Sequence, residues 1–229
     1  MQEHTQKKPV PEPYIYDKEM YDLSYSRKSW NSSRKLLARC IRKGKPGPIL
    51  DIGCGLGFFV ECCYRFGISC SGLEGSEYAV NAAKQREPNL DIRQHYLENP
   101  FPFQDETFSM VMCNQVIEHL PKETVRNALH ESYRVLSEGG SIIVYSPSIY
   151  NLNQVMDPTH INLHSPRSLK RELKEAGFTQ VGSFNKSLKF EWELLNPLNK
   201  LIRALFTLLP LPFLSSTANC IATKIKEED

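Results

Sequence analysis

The chain has 229 residues, 41% hydrophobic and 24% charged, which suits a sizeable folded domain and excludes a disordered chain. Its 28 basic and 26 acidic residues leave a net charge of +2, too weak a field to coat a nucleic acid, so no nucleic-acid partner is expected. Seven cysteines, an odd number without CxxC spacing, argue against a zinc ribbon or a disulfide framework and for reduced, buried thiols in a cytoplasmic protein.

The first residues, with three prolines and no apolar core, read as a loose tail and not as a signal peptide. An aromatic stretch with Tyr14, Tyr16, Tyr21 and Tyr25 follows, of which Tyr16, Tyr21 and Tyr25 could form a lid. Trp30 to Lys43 reads as a helix with Leu36, Leu37, Cys40 and Ile41 on its apolar side. Residues 26–45 carry eight basic side chains and no acidic one, either a solvated face or a contact for an acidic molecule. Residues 1–47 are therefore read as an N-terminal unit and 48–229 as the core.

After the breaker Gly44-Lys-Pro-Gly-Pro48 the chain alternates between strand and helix. Strands are expected at 49–52, 68–73, 90–96, 108–113 and 141–145, with late ones at 178–184 and 219–226. Helices are expected at 58–66, 76–86, 121–136 and 166–176. This order implies an α/β, Rossmann-like doubly wound and mostly parallel sheet, covered on both faces, with ligands at the carboxyl ends of its strands. An apolar insertion at 190–215 includes Leu201 to Leu214, LIRALFTLLPLPFL. At 14 residues with two prolines it is shorter than the ~20 needed to span a bilayer. It could be a buried helix, a face for a homo-oligomer, an apolar-substrate wall or a membrane-surface contact.

Ile49-Leu-Asp-Ile-Gly-Cys-Gly-Leu-Gly57 joins a strand to a helix. Its glycine spacing is GxGxG, and Phe58 stands where a dinucleotide fingerprint has its third glycine. Asp51 would repel a pyrophosphate at this turn but suits a ligand bearing an ammonium and a sulfonium, as S-adenosylmethionine does. Glu74 ends the second strand, 21 residues after Gly53, where a carboxylate can accept both ribose hydroxyls.

With DIGCGLG at 51–57, the chain resembles the class I S-adenosylmethionine-dependent methyltransferases. LEGSEYAVNAAK at 73–84, PFQDETFSMVMCNQVIEHL at 102–120, HESYRVLSEGGSIIV at 130–144 and DPTHINLHSPRSLKRELKEAGF at 157–178 continue the likeness. The pattern is most similar to small-molecule O-methyltransferases of the ubiquinone-biosynthesis kind. The resemblance implies a seven-stranded sheet with an antiparallel last strand and S-adenosylmethionine as cofactor. It assigns Asp51 and the backbone of Gly53, Cys54 and Gly55 to the methionine part, and Glu74 to the ribose. Asn114 and Gln115 fall at cofactor-flanking and acceptor-facing positions. An acid after the third strand often reads the adenine in this family; here Tyr96-Leu-Glu-Asn99 makes Glu98 a displaced candidate.

Methyl transfer to a protonated hydroxyl needs a base, and His119, His160 and His164 are the candidates. Some related O-methyltransferases carry Glu-x-x-Glu-His after the fourth strand and bind a divalent ion. Gln115 replaces the first Glu here, leaving Glu118, His119 and His160, so no metal is expected. The Asn/Asp-Pro-Pro-Tyr signature of amino-methyltransferases is absent, which disfavours DNA and protein-amide acceptors. The expected acceptor is a hydroxyl of a small or amphiphilic molecule. A cofactor-binding module supporting a partner, and a nicotinamide oxidoreductase, are the other readings.

Overall fold

A computed structural model describes residues 30–43, 47–184 and 216–225. The aromatic stretch Tyr14 to Tyr25 and the apolar stretch 201–214 lie outside the described residues. In chain order the elements are α1 (Trp30–Lys43), β1 (Ile49–Ile52), α2 (Phe58–Arg65), β2 (Cys70–Glu74), α3 (Glu77–Arg86) and β3 (Asp91–Gln94). After these come β4 (Phe108–Asn114), a 3-10 turn (Ile117–His119), α4 (Lys122–Val135), β5 (Leu136–Tyr145) and the short α5 (Leu152–Val155). The described part ends with α6 (Pro166–Glu175), β6 (Gln180–Ser183) and β7 (Cys220–Thr223).

The seven strands form one sheet in the order β3-β2-β1-β4-β5-β7-β6. Strands β1 to β5 pair in parallel, while β7 runs antiparallel to both β5 and β6. Strand order reverses between β1 and β4, so a crevice opens at their carboxyl ends.

Residue alternation along the central strands sorts side chains into two cores. Ile49, Met110, Met112, Ile143 and Tyr145 pack against Leu37 and Cys40 of α1 and Phe59, Cys62 and Cys63 of α2. The helix expected within the N-terminal unit is thus built into the core. On the other face Leu50, Ile52, Val111, Cys113, Ile142 and Val144 meet Leu129 of α4 and Leu169 and Leu173 of α6.

The largest departure from expectation is at β5. The helix expected to reach Leu136 stops at Val135, and Leu136 already pairs with Phe108. The register then shifts, and regular pairing resumes at Ser141 with Met110. Gly139, at φ 70°, supplies the left-handed residue this bulge needs. The strands expected at 68–73, 90–96, 178–184 and 219–226 are shorter than their apolar patterns. Ile68, for example, donates its N–H to Cys63 at the end of α2 and not to a strand.

Candidate active site

The loop after β1 is drawn tight against β2. The N–H groups of Gly53 and Cys54 both donate to the Leu73 carbonyl, at 2.8 and 3.0 Å, and that of Gly55 donates to Glu74 Oε2 at 2.8 Å. The loop's donors are thus engaged within the protein, which suits a ligand end that is cationic and seeks acceptors. Gly57, at φ 71°, begins α2, and a Cβ there would run into Ile92. Arg86 of α3 braces the loop from behind. It donates to the Leu56 carbonyl at 2.7 Å, lies over the Phe58 ring at 4.4 Å and is held by the buried Glu61 at 2.9 Å.

Two buried carboxylates stand at the loop. Asp51 pairs through its backbone with Gly72 on one side and Met112 on the other, at the centre of the sheet. Glu74 is fixed by two N–H donors, Gly55 to Oε2 and Ser76 to Oε1 at 2.9 Å. Burial, followed by the charges of Asp51 and then Glu74, pushes the Cys54 thiol well up and leaves it an inert packing group. Glu98 is exposed in the turn after β3.

Asn114 ends β4 paired with Tyr145. Gln115 adopts the left-handed conformation, φ 60°. Its backbone N–H and its side-chain Nε2 both donate to the Tyr145 carbonyl, at 2.8 and 3.3 Å. Strain of this kind at a non-glycine residue concentrates at functional sites. The next residue, Val116, fills the space a side chain at Gly53 would need, which brings the end of β4 onto the glycine loop.

The 3-10 turn follows. His119 and His160 stand with ring centroids 4.8 Å apart. His119 Nδ1 meets the Thr159 carbonyl at 3.1 Å, and His160 Nδ1 meets that of Gln154 at 2.9 Å. A carbonyl oxygen only accepts, so both Nδ1 atoms donate, and His160 Nε2 lies 4.0 Å from Asp157 Oδ2. Glu118 is fully buried and accepts from Ser146 Oγ at 3.2 Å, while Ser146 N donates to Asn219 Oδ1, also at 3.2 Å. One ligand atom from each of Glu118, His119 and His160 lies within 4.8 Å of the other two. A carboxylate with two imidazoles is a donor set for a zinc-, manganese- or iron-like ion and not for the harder magnesium or calcium.

His164 is not in this group. It is buried, its backbone bridges to Ser148, and burial holds its imidazole below the ordinary range. The sequence reading named the loop, both carboxylates and the histidines, but not Ser146 and Asn219. Asn219 lies 73 residues beyond Ser146, too far for any local pattern to link them.

Residues 50–144 match the family described as methyltransferase domain. A ubiquinone biosynthesis O-methyltransferase of Alkalilimnicola ehrlichii is 29% identical over 111 residues, 47% of this chain and 44% of the relative. A sterol 24-C-methyltransferase of Schizosaccharomyces pombe is 34% identical over 110 residues, 44% of this chain and 28% of the relative. The chain spans about half the length of the first curated relatives it matches. A crystal structure of an S-adenosylmethionine-dependent methyltransferase from Archaeoglobus fulgidus superposes with a TM-score of 0.68 at 25% identity, covering 91% of this chain and all of the other.

Fold, glycine loop and placed acids thus define an α/β domain of the class I type. Residues 50–144 form a methyltransferase domain, and the chain shares its fold with a solved S-adenosylmethionine-dependent methyltransferase. The nicotinamide reading falls, since the family's cofactor is S-adenosylmethionine. No helix among the described residues is long and apolar enough to cross a membrane.

Proposed function

We propose that the protein moves the methyl group of S-adenosylmethionine to a hydroxyl of a small, amphiphilic molecule. The observation that carries this reading is the His119–His160 pair, two imidazoles brought within 4.8 Å of each other from the turn after β4 and the segment after β5, each with Nδ1 held by a main-chain carbonyl. An acceptor hydroxyl held in line with the methyl–sulfur bond loses its proton to an imidazole Nε2. Its oxygen forms the new bond to the methyl carbon. The carbon–sulfur pair stays on sulfur, and S-adenosylhomocysteine leaves neutral at sulfur.

Asp51 and the glycine loop, with Glu74, hold the cofactor in this reading, and Asn114 and Gln115 flank it on the acceptor-facing side. The segment carrying His160 also exposes Ile149, Leu152, Val155, Met156 and Ile161. An apolar strip beside the base suits an acceptor with a hydrocarbon part. The relatives' names, ubiquinone biosynthesis and sterol, point the same way on the acceptor but differ on the attacked atom. The thiols are all unbonded, which fits a reducing, cytoplasmic setting.

A second reading has Glu118, His119 and His160 hold a divalent ion, which would polarise the acceptor oxygen as a Lewis acid. The test is S-adenosylhomocysteine release across phenols, alcohols, amines and sterols, with and without chelator. Turnover confined to hydroxyl acceptors and indifferent to chelator is expected. Turnover of amines or carbon acceptors alone would overturn the proposal, and chelator-sensitive turnover would favour the metal. Cofactor binding without turnover of any acceptor would favour a partner-supporting module.

A further inference from the structure

We propose that α1 and the end of α2 form a face that docks on an anionic phospholipid surface. The basic run at 26–45 has no acidic residue, and within α1 the fold sorts it away from the core. Leu37 and Cys40 are buried against the sheet and α2, whereas Arg34, Lys35, Arg39 and Arg42 stand exposed. At 3.6 residues per turn these four side chains fall within one arc of about 140°. The helix WNSSRKLLARCIRK carries no acid to offset them. The one acid of the neighbouring α2, Glu61, is buried and held by Arg65 at 2.8 Å and Arg86 at 2.9 Å.

Charge alone would suit any polyanion, but two exposed apolar side chains select a bilayer. Ile41 is 60% exposed and Phe66, just past the end of α2, is 54% exposed. Ile41 follows Arg34 by two helical turns and lies on the same side of α1. The Arg34 guanidinium in turn lies over the Phe66 ring, 6.0 Å from its centroid. Arg34 thus joins the basic arc to an apolar margin. An anionic leaflet offers that combination, with phosphates for the cations and an acyl boundary beneath them for Ile41 and Phe66. A nucleic acid offers the phosphates without the hydrocarbon, and a net charge of +2 provides no wider field to hold one. Because α1 turns its main apolar side to the sheet, the contact is peripheral and mostly electrostatic.

The test is co-sedimentation of the full chain with vesicles of phosphatidylcholine alone and of phosphatidylcholine mixed with phosphatidylglycerol. Binding is expected to the mixed vesicles only, and should fall as salt rises. Lys35→Gln with Arg42→Gln should weaken it about 30-fold, the scale of two basic residues near an anionic leaflet. Arg167→Gln with Arg171→Gln removes the same charge from α6, where Glu172 and Glu175 stand among the basic residues, and should bind like the parent. Ile41→Ser removes no charge and should weaken binding severalfold with the salt dependence unchanged. Circular dichroism checks that each variant is folded. Equal losses from the α1 and α6 pairs would reduce the effect to net charge and overturn the proposal. So would a parent protein that ignores the mixed vesicles, or one held by duplex RNA and not by vesicles, which would give the face to a nucleic acid.

Discussion

His119 and His160 face each other at 4.8 Å with each Nδ1 held by a main-chain carbonyl, so neither ring can turn over without giving up a hydrogen bond. The pair is thus fixed in orientation. Replacing either histidine with Asn should lower turnover by about 10²–10⁴ and leave cofactor affinity near the parent value. Single-turnover rates beside calorimetric titrations separate the two quantities. Unchanged rates in both variants would remove the pair from the chemistry.

Arg86 joins three parts of the cofactor loop's support, the Leu56 carbonyl, the Phe58 ring and Glu61. Arg86→Leu leaves the buried Glu61 paired with Arg65 and should cost about 1–3 kcal/mol of stability. It should also weaken S-adenosylhomocysteine binding through a looser loop. Arg86→Lys keeps the charge but loses the fork, so it should recover only part of both losses. Urea unfolding and calorimetry report them separately. A variant that binds the ligand normally would show that the loop holds itself.

Gly57 is required twice, for its left-handed backbone and for the room that Ile92 occupies. Gly57→Ala should destabilise the protein by about 2–3 kcal/mol, combining backbone strain with crowding. Ile92→Val removes the crowding carbon, so the double variant should lose less than the sum of the two single losses. A double-mutant cycle in denaturant measures that difference. Strict additivity would mean that the crowding is relieved elsewhere.

His164 sets a pH dependence. Burial depresses its imidazole, Lys122 and Arg171 add to this, and Glu172 opposes it. The unfolded chain, with an ordinary histidine near ~6.5, therefore takes up the proton first as pH falls. The stability present above that value should decline on acidification through it and down to the depressed folded value. His164→Gln should flatten the slope in that window. An identical slope in the variant, measured by urea midpoints from pH 7.5 to 5, would assign the dependence to other groups.

Much of this architecture is legible in the sequence because its physics is local. Apolar runs such as Ile142 to Val144 can only be strands buried on both faces, and the glycines at 53, 55 and 57 sit where a chain must turn between strand and helix. Glu74 is legible for the same reason, as the last residue of a strand at a fixed distance from that turn. The bulge between Leu136 and Ser141 was hidden because Leu136 continues the helical apolar period of α4 while pairing with Phe108 across the sheet. The support of Glu118 was hidden because Ser146 and Asn219 meet it only through tertiary closure.

The antiparallel β7 carries a consequence for assembly. It inserts between β5 and β6 and brings Asn219 to Ser146, which in turn bonds Glu118. Until residues 216–225 arrive, β5 has an open edge and β6 has no sheet neighbour. The glycine loop and the backbone around Glu74 draw on β1, β2, β3, α3 and the turn after β4, all of which precede β7 in the chain. The proposed cofactor cradle can thus precede β7 in synthesis, and the proposed acceptor side, with the buried Glu118, is completed only when β7 joins the sheet.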